Sequence, residues 1–487
     1  MYQDDNTVIK LGNMKEKVEV TGGIRQGCCI STLLFKMVTF KIIDELRSKK
    51  KYKVGKFNDN SLWLADDATL IADSMDTLRE LLNCLSTAGA KYGLEINEKK
   101  TKIMRVRGPD DYSQIGNYDM VTETKYLGIT VGGRGRNIFE KENKEFLTKA
   151  EKKVNSLMAQ IKKSADKVLV GKAIWKLMAI PAILFGRAIV TTCAARIEGL
   201  QRLENKVWRY LMDIGGYSAI DALRGEMGAS LVKSRVMETM LLYVVDTMNS
   251  KFDNVKEMML DTIETGKGHW YTNINSYREE LEISWEELYT MSKKELKNRI
   301  KTYDTEKWNT SLESKSTLKY YVQGKTKIGY EFCYRNNLNS TFLARARINS
   351  LKLEEAKGRG NPHYDRTCKL CREEEENIVH FLIDCKALEE ERNYEIIDSS
   401  IENSEEKMIK LLFQTGKYQE TGYMIKKLWC RRRTLLEKNQ KKKEYREKSN
   451  GQLPNLVVYW NSDPGPMRRG HDFQGGRSLG KNMMSIG

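Results

Sequence analysis

Long apolar runs are missing from this chain. The most apolar stretch, LMAIPAILFGRAIV (177–190), is interrupted by Pro181 and Arg187 and is too short to cross a bilayer. The N-terminus, MYQDDNTVIKLGN, lacks the basic-then-apolar layout of a secretory signal. The protein is therefore expected inside the cell, in the nucleus or the cytoplasm, with no membrane partner. Internal repeats are absent. Proline and histidine are scarce, six and four in 487 residues, and three of the prolines fall after residue 450. Acids are outnumbered, 66 against 83 Lys and Arg, leaving a net charge of +17. That excess favours a polyanionic partner, nucleic acid ahead of a membrane surface, although a lysine-rich soluble surface gives the same number. Nine cysteines in an intracellular chain point to thiols or metal ligands rather than disulfides.

What is present has the composition of a folded protein long enough for two or more domains. EKVEVT (16–21) alternates like a strand, and the glycines of GGIRQG then break it. TLLFKMVTFKIIDELRSKK (32–50) has helical periodicity. SLWLA and ATLIA flank Asp66 and Asp67 as a hairpin with its turn at the two acids. A helix is expected from Ser74 to Tyr92, burying Leu78, Leu81, Leu82 and Leu85. GLEINEKKTKIMRV (93–106) reads as a turn and a strand, and TKYLGITVGG (124–133) as a strand pair. Beyond 140 the pattern turns helical, with Phe146, Ala150, Val154, Leu157 and Ile161 on one face.

Adjacent carboxylates repel, more so in apolar surroundings. A turn that displays Asp66 and Asp67 is suited to a divalent cation, since magnesium is held by one or two carboxylates plus substrate phosphates. A polar hairpin turn is the plainer explanation of ADD alone. However, GGIRQGCCISTLLF (22–35), LWLADDATLIA, YGLEINEKKTK (92–102) and KYLGI (125–129) occur in this order. Together they resemble the reverse transcriptase palm of non-LTR (LINE-type) retrotransposons, over residues 1–135 and more loosely beyond.

The resemblance implies an RNA-directed DNA polymerase, with Asp66 and Asp67 as magnesium ligands and catalytic carboxylates. It aligns Arg25, Gln26 and Gly27 with the segment that lies against the incoming nucleotide and template. Lys99 or Lys100 falls where a lysine approaches the nucleotide phosphates; a solvated turn is the alternative. Tyr126, Leu127 and Gly128 match the hairpin that grips the primer end, although Leu127 also suits core packing. The implied partners are an RNA template, a DNA primer and, if active, a dNTP. The family also carries an aspartate on a strand well before RQG, and fingers that close over the nucleotide. Neither is matched here: Asp4 and Asp5 of YQDD lie too close to Arg25. Thr32 stands where the family usually has proline. The expectation is a truncated or incomplete polymerase that does not polymerise alone, because one wall of a two-metal site is missing.

A second constellation, CKLCREEEENIVHFLIDC, places Cys368, Cys371, His380 and Cys385 in a C-x2-C-x8-H-x4-C pattern. Three thiolates and one imidazole suit a closed structural Zn2+ site. The alternative is three unrelated thiols beside a core histidine. The spacing resembles the zinc-binding region downstream of reverse transcriptase in the same elements, and Arg345 and Arg347 just upstream are candidates for phosphate contact. Residues 421–450 hold eleven Lys or Arg against three Glu, which fits a nucleic-acid-binding helix or an import signal. Trp429 and Tyr445 are candidates for base stacking, although Trp429 also suits packing. Cys193 and Cys430 have no evident partner and read as buried or free thiols.

The expected class is α+β: a partial palm of antiparallel sheet and helices (1–135), then a mostly helical thumb and connector (136–250). A charged helical region (251–340), a zinc-knuckle-like segment (341–395), a basic helical tail (396–450) and a disordered tail (451–487) follow. The rival reading is a non-catalytic nucleic-acid-binding protein that uses the zinc segment and basic surface.

Overall fold

The computed structural model describes residues 6–19, 23–24, 27–48, 61–106, 115–133, 137–162, 164, 166–215, 219–330, 334 and 339–449. The YQDD segment and the 451–487 tail lie outside the described residues. Eight short strands occupy the N-terminal part: β1 (Asn6–Leu11), β2 (Met14–Glu19), β3 (Ser61–Leu64), β4 (Asp67–Leu70), β5 (Lys102–Met104), β6 (Asp119–Val121), β7 (Glu123–Tyr126) and β8 (Ile129–Gly132). They pair as β1–β2, β3–β4 and β7–β8, all antiparallel, and as parallel β5–β6. Among the described residues, therefore, the expected palm sheet appears as four two-stranded pieces. Strands of three to six residues carry few ladder bonds each.

Helices α1 (Ser31–Ser48) and α2 (Met75–Ala90) pack behind β3, β4 and β5. Ser74 starts α2 by accepting the Thr77 N–H at 3.1 Å. Ile42 and Leu46 of α1 pack on Leu81, Cys84 and Ala88 of α2. The opposite side of α2 offers Leu82 to Ile103 and Ile115. Leu78 and Leu85 are half-buried beside these clusters.

From residue 140 onward the chain is helical: α3 (Glu140–Ile161), α4 (Lys167–Ile174), α5 (Ile180–Ile183), α6 (Ala194–Met212), α7 (Ile220–Met227), α8 (Val232–Met248), α9 (Asp253–Thr265), α10 (His269–Glu280), α11 (Trp285–Thr290), α12 (Lys293–Glu313), α13 (Lys319–Gly324), α14 (Ser340–Arg347), α15 (Glu354–Lys357), α16 (Ser404–Phe413) and α17 (Tyr418–Ser449). Phe146, Ala150, Val154, Leu157 and Ile161 are all buried, as their spacing predicts. Gly199 lets α6 approach α3, since a Cβ there would lie 2.7 Å from the Leu147 side chain. One continuous apolar core runs from Phe146 to Leu428. Arg187, which breaks the longest apolar run, is buried, donating to Asn143 and Thr192 at 2.9 and 3.1 Å over the Phe146 ring. No helix among the described residues is long and apolar enough to cross a membrane.

Candidate functional site

The hairpin of β3 and β4 pairs Leu64 with Asp67, leaving Ala65 and Asp66 as a two-residue loop. Asp66 therefore sits in the turn, while Asp67 opens β4. Leu70 at the hairpin's base and Trp63, one pair from its turn, lean on the α1–α2 core, while both carboxylates stay exposed at the tip. Ala65 has φ of 55°, in the left-handed region. A non-glycine residue there costs roughly 1 kcal/mol, a strain that persists where the surroundings hold it. No third acid joins the pair: among the described residues, the one group of three or more ligand side chains within metal reach lies elsewhere. Two carboxylates suffice for one magnesium ion that retains other oxygen ligands. A two-metal set is not completed by these residues.

Gly27 is exposed, with φ of +83° and open space where a Cβ would project. Arg25 and Gln26 lie outside the described residues. Lys99 and Lys100 are exposed in a turn where Asn97 accepts the Lys100 N–H at 3.1 Å. Leu127 and Gly128 form the β7–β8 turn, both with positive φ (47° and 85°), the backbone that tight hairpins favour. Leu127 remains 38% exposed, so core packing is not its role. Tyr126 is half-buried. The hairpin is tied to the helical part through Glu142 of α3, whose carboxylate accepts the Thr130 N–H at 3.1 Å and the Lys149 ammonium at 3.0 Å. Burial alone would raise the Glu142 carboxyl; these bonds outweigh it and hold it below its usual range. The ring of Phe185 lies where a side chain at Gly128 would project, 3.3 Å from a Cβ built there. Neither Glu142 nor Phe185 carries a motif signal, because their partners are distant in sequence.

The Cys/His segment is brought together. The ligand atoms of Cys368, Cys371, His380 and Cys385 all lie within 4.8 Å of one another. Cys368 Sγ is 3.9 Å from Cys385 Sγ, and Cys371 Sγ is 3.3 Å from His380 Nε2. A tetrahedral zinc with Zn–S bonds near 2.3 Å sets its sulfurs about 3.8 Å apart, so the donors fit. An antiparallel bridge between Thr367 and Glu375 holds the first two cysteines, with Arg372 at φ of 64° turning the chain. A π-helical turn over His380–Asp384 presents the other two ligands, closed by the Cys385 N–H on the His380 carbonyl at 2.8 Å. Arg392 clamps its exit, donating to the Leu382 and Cys385 carbonyls at 2.9 Å. Glu374 lies 3.3 Å from His380 Nδ1, so Nε2 is the nitrogen turned toward the sulfurs. A hydrogen bond from Cys385 lowers the Cys368 thiol and raises Cys385.

The comparisons with known proteins agree with the N-terminal geometry. Residues 5–131 match the family described as "Reverse transcriptase (RNA-dependent DNA polymerase)". The N-terminal segment is therefore similar to reverse transcriptases. One relative is the Retrovirus-related Pol polyprotein from type-1 retrotransposable element R2 of Nasonia vitripennis, 25% identical over 154 residues. That match covers 28% of this chain and 15% of the relative. Another is the Retrovirus-related Pol polyprotein from type-2 retrotransposable element R2DM of Drosophila melanogaster, 28% identical over 128 residues. It covers 23% of this chain and 12% of the relative. The matched stretch thus spans only a small part of those polyproteins, and the likeness is to the non-LTR type of reverse transcriptase.

Several sequence expectations change at this point. Arg347 is fully buried, donating to the Leu412 carbonyl at 2.7 Å and to Glu226 at 3.1 Å, so it is not available to a phosphate. Arg345 reaches the Asp213 carbonyl at 2.8 Å. Trp429 packs edge-on against Phe381, with centroids 6.1 Å apart, and is a packing residue. Of the two alternatives for Cys193 and Cys430, the structure gives exposed free thiols. Sequence reasoning missed the buried ion cluster behind the knuckle. Arg432 donates to Glu376 at 2.6 and 2.5 Å and to Glu354 at 3.5 Å, across 56 and 78 residues.

Proposed function

We propose that this chain is part of an RNA-directed DNA polymerase of a non-LTR retrotransposon, with Asp66 and Asp67 as its cation-binding carboxylates. The observation that carries the reading is the exposed acidic hairpin tip inside the segment matched to reverse transcriptase. Magnesium, when bound, would offset the carboxylate repulsion and supply charge for phosphate oxygens. In this reading Arg25, Gln26 and Gly27 approach nucleotide and template, Lys99 or Lys100 the phosphates, and Tyr126, Leu127 and Gly128 the primer end. On its own the chain is proposed to bind nucleic acid without extending a primer, because among the described residues only the two carboxylates of the hairpin tip stand together for a metal. The Cys3His cluster holds one structural zinc, since its donor spacing and the Glu374 contact to His380 fit a closed site. An intracellular setting, nuclear or cytoplasmic, belongs to the same proposal.

The Cys/His cluster and the basic helix α17 favour a second reading, a nucleic-acid-binding protein without polymerase chemistry. Asp66→Asn with Asp67→Asn separates the two. The polymerase reading expects weaker Mn2+ binding, followed by paramagnetic relaxation, and weaker dNTP cross-linking, with the fold unchanged by circular dichroism. Wild-type-like values in both assays would leave only the second reading.

A further inference from the structure

Helix α17 has two halves with different surroundings. Its first half is docked: Met424, Ile425 and Leu428 are buried, and Trp429 meets Phe381. Lys427 pairs with Glu391 at 2.9 Å. Arg432 is 5% exposed and closes the docked half on Glu376 and Glu354. Glu376 itself lies 4.0 Å from the Cys368 sulfur. The second half, from Glu437, is exposed through Tyr445.

The exposed half has two different faces. Arg433, Glu437, Gln440 and Glu444 follow one another at helical spacing, and they satisfy each other. Arg433 lies 3.7 Å from Glu437, and Gln440 donates to Glu444 at 3.2 Å. Lys438, Lys441, Lys442 and Tyr445 stand at i, i+3, i+4 and i+7 on the other face. None of these three lysines pairs with an acid among the described residues, and Tyr445 is 79% exposed. An ordinary solvated helix mixes its charges; here the acids are confined to the opposite face.

We infer that Lys438, Lys441, Lys442 and Tyr445 form a binding face for single-stranded nucleic acid, and that the Cys3His knuckle sets its direction through Glu376 and Arg432. The lysines meet phosphates, and the tyrosine offers a ring on which an unpaired base stacks. The knuckle need not touch the strand. It fixes Glu376, Glu376 holds Arg432, and Arg432 aims the arm. This inference rests on the zinc reading above.

The test measures binding of the full chain to a fluorescein-labelled single-stranded RNA of mixed sequence, and to the duplex of that sequence, over a range of salt. Zinc content is measured in parallel. Lys438→Gln with Lys441→Gln and Lys442→Gln should keep zinc, weaken single-strand binding and reduce the salt slope by about 2. Tyr445→Ala should cost roughly fivefold or more on the single strand and little on the duplex. Cys371→Ser should lose zinc and weaken binding, yet add nothing in the triple-lysine background. Arg432→Lys, which keeps the charge but loses the two-pronged contact, should give an intermediate loss if Cys371→Ser proves unfolded. A triple-lysine variant that binds like wild type overturns the inference. So does equal loss from Cys371→Ser in both backgrounds, which makes the knuckle itself the contact. A duplex preference indifferent to Tyr445 also overturns it. A wild-type chain with neither zinc nor salt-dependent binding instead sinks the proposed function on which this rests.

Discussion

The acidic hairpin and the Cys/His segment of this protein are built in opposite ways. The acidic hairpin presents two carboxylates at an exposed tip, with apolar support from Trp63 and Leu70 alone among its strand residues. The Cys/His knuckle gathers four ligands, two of its cysteines and its histidine being buried. Around them stand Glu374, Arg392 and the Glu376–Arg432–Glu354 cluster. A site that supplies all its own ligands and orients them is suited to holding an ion for structure. A site with two ligands and open water around it takes the rest of its coordination from elsewhere. The same contrast extends to the surroundings, small separate clusters behind the hairpin against one long core behind the knuckle.

The largest expected effect is at the knuckle's ligands. Cys368→Ser should abolish zinc retention, removing roughly 10 kcal/mol of metal-binding free energy. Atomic absorption on the purified protein checks this, and full zinc occupancy in the variant would erase the contrast. Next comes the ion cluster behind it. Burial would raise the Glu354 carboxyl, but hydrogen bonds from Lys357, Lys369 and Tyr364 outweigh it and hold it at about 2, against an ordinary 4.5. A depressed carboxyl contributes stability that is fully present above the ordinary value and is lost as pH falls through the folded one. Glu354→Gln should therefore cost about 3 kcal/mol at neutral pH, as for a broken buried pair. It should also flatten the acid limb between pH 4.5 and about 2. Urea unfolding followed by tryptophan fluorescence across that window reads both effects. The smallest effect belongs to the hairpin, where Ala65→Gly should relieve the left-handed strain and stabilise by about 1 kcal/mol or less. Thermal unfolding measures it, and a clear loss of stability would show that the turn relies on the alanine methyl.

Much of the local structure was legible because it is periodic. Alternation flagged β2 through Glu16–Glu19 and the β7–β8 pair, and helical spacing identified the apolar buried face of α3. The pair of acids fell within one residue of its place, the difference being a two-residue loop centred on Ala65 and Asp66. The β1 strand was not anticipated, since its segment NTVIKL sets Val8 and Ile9 side by side instead of alternating, and its apolar residues are exposed (Ile9 56%, Leu11 73%). Arg347 was misread because its place just upstream of the Cys/His pattern suggested phosphate contact, whereas Glu226, distant in sequence, claims it in the core.

The sequence by itself determined the two candidate ligand sets, Asp66 with Asp67 and the C-x2-C-x8-H-x4-C pattern, because both are short-range and depend on residue type and spacing. It also determined the basic excess of α17. Only the tertiary structure decided that Arg432 of that helix belongs to the knuckle's ion cluster, that Lys438, Lys441 and Lys442 stay unclaimed, and that the β7–β8 turn rests on Glu142 and Phe185. Such choices depend on which charges and rings meet across tens of residues, where desolvation favours a pair only once the surrounding core has closed on it.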